Sequence, residues 1–266
     1  MTSDFDGTLF FGFGSSAHPS QRFLPRDLAA IEEFRAQGGL FGVCTGRPLG
    51  AVLDDAGDAL SLDFAITSSG ACVSDAKGGT LFSREIPNDD VRAILDVARG
   101  QTSRPSFLAV KSGYLVLGKG NIPGLPQAFL KRLRVVGSVD EALLVEPGER
   151  GESVQVVSLG FASQEMAAGF AAGVGKLFGG RVAAYQNLDS VDVVPAGCSK
   201  GTGLAIARKH FVLDLVGGIG DSFNDLPLLD EADVAYTFNR APEVVRAGAD
   251  VLVDDVAGAL ADLGRR

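Results

Sequence analysis

Short apolar runs alternate with helix-period segments at both ends of the chain. Leu28, Ile31 and Phe34 recur at helical spacing, Gly38-Gly39 stops that segment, and Leu40-Phe41-Gly42-Val43-Cys44 follows as a buried strand ending in a turn. Phe64-Ala65-Ile66-Thr67 predicts a second short strand. Towards the C-terminus, Leu213 to Ile219 predicts a third, then Val234-Ala235-Tyr236 and Val251-Leu252-Val253, with helical stretches between them. This alternation predicts an α/β fold, a parallel sheet covered on both faces. The middle has another texture. Phe107-Leu108-Ala109-Val110 and Tyr114-Leu115-Val116-Leu117 flank Lys111-Ser112-Gly113, a tight hairpin signal, and a strand at Val154 to Leu159 precedes an Ala/Gly-rich helix at Gln164 to Leu177. Hairpins mixed with helices predict a separate α+β unit, residues 84–186, inserted into a core made of residues 1–83 and 187–266.

Composition narrows the class. Of 266 residues, 46 % are hydrophobic and 21 % charged, values of a globular chain, so disorder is disfavoured. No apolar run reaches the roughly 18 residues of a membrane span, and the N-terminus lacks the regions of a signal peptide. A net charge of −9 with no basic tract argues against nucleic acid as a partner. Cys44, Cys72 and Cys198 show no CxxC pairing, which fits a reducing cytoplasm, and two histidines, His18 and His210, leave little room for His-based chemistry. The expectation is a cytoplasmic protein working on carboxylates, a monomer or small homo-oligomer, with neither nucleic acid nor membrane as partner. The insert carries 12 Lys+Arg and 10 Asp+Glu, a net +2, against −11 for the flanks. That division suits an anionic substrate held with a metal ion, although ordinary scatter of surface charge accounts for it equally well.

Four clusters stand at or just after the ends of predicted strands, the edge where open α/β sheets bind ligands. In Asp4-Phe5-Asp6-Gly7-Thr8 two carboxylates at i and i+2 can face one ligand, one attacking and the other moving a proton; the plain alternative is an Asp-Gly turn. Thr45-Gly46-Arg47-Pro48 offers a hydroxyl and a backbone N–H as a small anion nest, or simply a Thr cap and a turn glycine. Ser199-Lys200-Gly201 opens a helix over Leu204 to Lys209, where the lysine can hold a phosphate or lie solvated on the surface. Gly220-Asp221-Ser222-Phe223-Asn224-Asp225 offers hard oxygen ligands suited to Mg²⁺, or caps the next helix.

Taken in order, these motifs resemble those of the haloacid dehalogenase superfamily of phosphohydrolases, in particular its Cof-type, sugar-phosphatase-like branch. The likeness rests on DFDGT at 4–8, TGR at 45–47, SKG at 199–201 and GDSFND at 220–225, and continues through Ala65 to Ala71. It implies a Rossmann-like parallel-sheet core with an inserted α+β cap that serves as a substrate-specificity lid. It also implies a Mg²⁺-dependent phosphatase acting on a small phosphorylated metabolite, a sugar phosphate or phosphorylated glycerate-type compound, through an aspartyl-phosphate. By the same resemblance Asp4 is the nucleophile and Asp6 the acid–base group. Thr45, the Gly46 N–H and Lys200 hold the phosphoryl oxygens. Mg²⁺ is held by Asp4, the Asp6 backbone carbonyl and Asp221, with Arg47, Asn224 and Asp225 in support. A phosphomutase on the same scaffold and a non-catalytic Mg²⁺- and phosphate-binding sensor are the alternatives. Three features depart from the pattern. Asp4 lies three residues from Met1, so its strand is short unless the chain starts further upstream; Ser69 stands where the branch often has asparagine; and the Phe10 to Phe23 segment, with His18, is either a flap or a plain surface loop. In the insert, Arg84, Lys111, Lys119 and Arg181 are candidate substrate contacts, none singled out by the sequence.

Overall fold

The computed structural model of the chain describes residues 1–12, 22–110, 113–117, 133–136, 140, 143 and 153–266. His18, Lys111, Lys119, the 111–112 turn and most of the 10–23 segment lie outside them. The chain divides into two compact units. One comprises Met1–Thr45, Ala56–Ser83 and Ser199–Arg266; the other comprises Gly46–Asp55 and Arg84–Cys198.

The first unit is built on an eight-stranded sheet. In chain order its elements are β1 (Thr2–Ser3), α1 (Pro25–Ala36), β2 (Gly42–Cys44), β3 (Phe64–Thr67), β4 (Cys72–Asp75) and β5 (Thr80–Ser83). After the second unit come α5 (Lys200–Phe211), β12 (Gly217–Ile219), α6 (Leu226–Glu231), β13 (Val234–Phe238), α7 (Glu243–Ala247), β14 (Val251–Val253) and α8 (Val256–Leu263). The strand order is β14-β13-β12-β1-β2-β3-β4-β5, parallel from β14 to β3 and antiparallel over β3-β4-β5. The core is therefore Rossmann-like, as the resemblance implies, with the parallel strands that the alternating pattern predicts. Although β1 has two residues, it sits mid-sheet. Thr2 and Ser3 pair with Gly218 and Ile219 on one side and with Gly42 and Val43 on the other, and both side chains are fully buried. Two flanking ladders give so short a strand the pairing that length would otherwise supply.

Apolar packing holds the sheet between helices. Leu204 and Ala207 of α5 pack with Cys44, Phe64, Ile66 and Val73 of the strands, and α1 packs on α8. Proline at the first position of α1 fits the fixed φ that a helix start requires. The strand expected over 213–219 is shorter: α5 continues to Phe211 and pairing is confined to Gly217–Ile219. The apolar residues before it, Leu213 and Val216, pack in the same core, and the Val216 carbonyl accepts the Asp233 and Val234 N–H groups at 2.9 and 3.2 Å.

The second unit contains α2 (Leu49–Ala56, apart from its last residue), α3 (Asn88–Ala98), β6 (Phe107–Val110), β7 (Gly113–Leu117), β8 (Leu133–Val136), β9 (Val154–Gly160), α4 (Gln164–Leu177), β10 (Val182–Asn187) and β11 (Ser190–Pro195). Its six strands are ordered β10-β11-β9-β6-β7-β8, antiparallel except for the β7–β8 pair. Ile94 of α3 and Phe170 and Val174 of α4 pack with Leu108, Val157, Leu159 and Val193 of the strands as one core. The insert expected to end at 186 runs to Cys198, because β11 pairs with both β10 and β9. The β10–β11 turn contains Leu188 at φ 51°, a left-handed conformation that seldom falls to a branched side chain, so the usual glycine signal of a hairpin is absent.

Candidate active site

At the C-terminal edge of the parallel strands the chain brings together residues nearly 200 positions apart. Asp4 follows β1, its N–H bonded to the Ile219 carbonyl at 2.8 Å. Lys200 opens α5, where Ser199 is the N-cap: the Thr202 N–H donates to Ser199 Oγ at 3.0 Å and the Ser199 N–H to Thr202 Oγ1 at 2.8 Å. This reciprocal cap fixes the first turn. Just before α5, Gly70 at φ 88° lies so close to the Ser199 carbonyl that no Cβ would fit. The lysine side chain turns inward. It is 3 % exposed, and Nζ donates to Asp4 Oδ1 at 2.6 Å and to Asp225 Oδ1 at 2.5 Å.

Asp225 organises the loop after β12. While its Oδ1 accepts from Lys200, its Oδ2 accepts the Asp221 and Ser222 N–H groups, each at 2.9 Å. One fully buried carboxylate therefore sets both the loop and the lysine. Asp221 is drawn in by Thr8, whose hydroxyl donates to Oδ1 at 3.3 Å, and by the closeness of Gly7, where a Cβ would lie 2.8 Å from Asp221 Oδ2. Gly7 also has φ 81°, so glycine suits this position twice over. Asn224 is buried in the same turn.

The charges act strongly on one another. Burial alone would push the Lys200 ammonium down, but Asp225 and Asp4 outweigh it and hold its pKa well above the ordinary lysine value. Burial, then the charge of Asp225, raises the Asp221 carboxyl to about 6. Burial and the same neighbour likewise push Asp4 upward, against the pull of Lys200. Oxygen atoms of Asp4, Asp221 and Asp225 lie within 4.8 Å of one another. Three carboxyl groups gathered around one ammonium form an all-oxygen donor set of the kind that suits a hard divalent cation.

Of the residues singled out by sequence, Asp4, Lys200, Asp221, Asn224 and Asp225 thus come together, and Asp225 joins the carboxylate cluster with its side chain. The Asp6 side chain is exposed, beside the cluster in sequence but not among its three carboxylates. Thr45 is buried at the end of β2, its N–H bonded to the Ile66 carbonyl and its own carbonyl to the Ser69 N–H, both at 2.9 Å. Gly46 and Arg47 belong to the second unit, where Arg47 pairs with Asp55 at 2.5 Å. Sequence reasoning did not find three local features. Thr8 holds Asp221, Ser68 and Ser69 adopt left-handed backbone at φ 52° and 53°, and Arg240 donates to the Gly7 carbonyl at 2.6 Å. No motif surrounds Arg240, so only the fold reveals it.

A model of the haloacid dehalogenase-like hydrolases matches residues 1–258. The chain belongs to that family. The hydrolase's fold is similar to that of a sugar phosphatase of haloacid dehalogenase subclass IIB, at 21 % identity and TM-score 0.79, the match covering 99 % of this chain and 98 % of the other. A superfamily phosphatase from Bacteroides thetaiotaomicron is similar at 21 % identity and TM-score 0.75, over 99 % and 93 % of the two chains. A haloacid dehalogenase-like hydrolase from B. subtilis is similar at 18 % identity and TM-score 0.79, over 99 % and 98 %. At these identities the likeness is one of fold. No curated protein matches the sequence. Among the hydrolase's described residues, no helix is long and apolar enough to cross a membrane.

Proposed function

We propose that the hydrolase is a Mg²⁺-dependent phosphatase that releases inorganic phosphate from a small phosphorylated metabolite, of the sugar-phosphate or phosphorylated-glycerate class, through an aspartyl-phosphate on Asp4. The observation that carries this reading is the Asp4–Lys200–Asp225 ion pair, buried at the sheet edge and joined by Asp221. The solved relatives described as phosphatases support the substrate class. We further read the hydrolase as cytoplasmic, a monomer or small homo-oligomer, with the second unit serving as the lid that sets specificity.

Asp4 and Asp221 would hold the cation, with the Asp6 carbonyl as a further ligand in keeping with the family pattern. When bound, Mg²⁺ supplies positive charge that offsets the repulsion between a carboxylate and a phosphate. A carboxylate oxygen of Asp4 forms a bond to phosphorus as the bond to the leaving oxygen breaks, and Asp6 delivers a proton to that oxygen. Water then attacks the phosphorus, Asp6 takes its proton, and the bond to Asp4 breaks, which restores the carboxylate and releases phosphate. Lys200 neutralises charge on the phosphoryl oxygens, helped by the Thr45 hydroxyl and the Gly46 N–H. Arg47, Asn224 and Asp225 support this arrangement.

The test is phosphate release from a panel of sugar phosphates and phosphoglycerates. Release should require Mg²⁺, stop with chelator, return when Mg²⁺ is restored, and vanish in Asp4→Asn. Turnover that persists in chelator or in that variant contradicts the reading.

A further inference from the structure

The turn that carries Asp6 has no side-chain anchor at its centre. Gly7 has nothing to pack, adopts left-handed backbone at φ 81°, and stands directly against Asp221. Its N–H is tied within the same segment, to the Phe10 carbonyl at 3.0 Å, and Thr8 reaches Asp221 by a longer bond of 3.3 Å. The Gly7 carbonyl is held from another element altogether. Arg240, two residues beyond β13, donates to it from Nη2 at 2.6 Å, the shortest of these three bonds.

The arginine is itself fixed. Its guanidinium carbon stands 3.7 Å from the centroid of the Phe238 ring, and that ring is 1 % exposed, a rigid platform for stacking. Among the described residues no carboxylate forms an ion pair with Arg240, although the charges of Asp221 and Asp27 act on it. A guanidinium stacked on a buried ring and bonded to a backbone carbonyl has one orientation, so the peptide it grips inherits that orientation.

We propose that Arg240 is a positioning residue: it clamps the Gly7 carbonyl and thereby fixes the turn that aims Asp6 at the reacting phosphate. The inference rests on the phosphatase reading above. Asp6 immediately precedes Gly7, so the direction of its backbone is set by this turn. Looseness in the turn should therefore slow proton transfer more than it weakens substrate binding.

The experiment compares wild type, Arg240→Met and Arg240→Lys on a phosphomonoester with Mg²⁺, and follows deuterium uptake by the segment 4–10. Arg240→Met should lower kcat by about ten- to a hundredfold, the scale of a lost charge-assisted bond, and change KM by less than about threefold. Segment 4–10 should exchange faster in this variant, while Arg240→Lys, which keeps a charged donor, should recover most of the lost kcat. Three results overturn the inference: a KM that rises with kcat intact, Lys and Met variants that are equally slow, or uptake that does not change. A wild type that releases no phosphate with Mg²⁺ overturns the phosphatase reading as well, which separates the two failures.

Discussion

Lys200 carries more of the site than any other single side chain. It is buried between two carboxylates at 2.6 and 2.5 Å, where an ammonium is stable because both partners repay its desolvation. Lys200→Met should cost about 3–5 kcal/mol of stability, because it leaves two buried carboxylates facing each other unneutralised. Added Mg²⁺ should restore part of that loss in the variant, since a cation binding the folded form takes over the neutralisation. Urea unfolding with and without Mg²⁺ measures both effects, and a variant as stable as wild type would refute this view of the ion pair. The sequence placed Lys200 at a helix start but could not tell a surface lysine from a buried one. That distinction comes from the inward turn at Ser199 and from a partner 25 residues away.

Among the elements, the joint between α1 and α8 is a pH-sensitive feature outside the site. Asp27 of α1 is fully buried and accepts the Ala257 N–H of α8 at 2.9 Å, while its Oδ2 has no hydrogen-bond partner among the described residues. Burial raises its carboxyl to about 6 against the opposing Ala257 bond. The folded state therefore holds this proton more tightly than the unfolded chain. The stability it confers is full below the ordinary pKa of 3.8 and is lost as pH rises through about 6. Asp27→Asn has no such proton to lose, so the variant should gain on wild type between pH 4 and 7. Urea midpoints at stepped pH measure this, and a constant difference would contradict it. Elements with a strong local signal were legible in the sequence: β2, β3 and α4 lie where the apolar spacing put them. The β4–β5 hairpin was not expected; its turn is closed by Asp75, whose Oδ1 accepts the Lys77 and Gly79 N–H groups at 2.8 Å, with Gly78 in left-handed backbone at φ 76°. The β10–β11 hairpin was not expected either, since Leu188 holds the position where glycine is usual.

For the whole molecule, the parallel order β14-β13-β12-β1-β2-β3 sets β1 beside β12, so that Asp4 and Asp221 meet although they are far apart in the chain. The motif carboxylates were legible because parallel strands deliver their C-terminal turns to a common edge, whereas Lys200 reaches it from the start of α5. The reach of Asp225 into the cluster, the exposure of Asp6 and the clamp from Arg240 were not legible, because each depends on where side chains turn after the strands end. The proposed chemistry stands or falls with Asp4 as the carrier of the phosphoryl group during turnover. Acid quench of the Mg²⁺-loaded hydrolase in mid-turnover, followed by borohydride, reduces an acyl phosphate to homoserine, and peptide mass spectrometry locates it. Homoserine should appear at position 4, dependent on substrate and Mg²⁺. Turnover with homoserine at another aspartate, or at none, would refute Asp4 as the nucleophile.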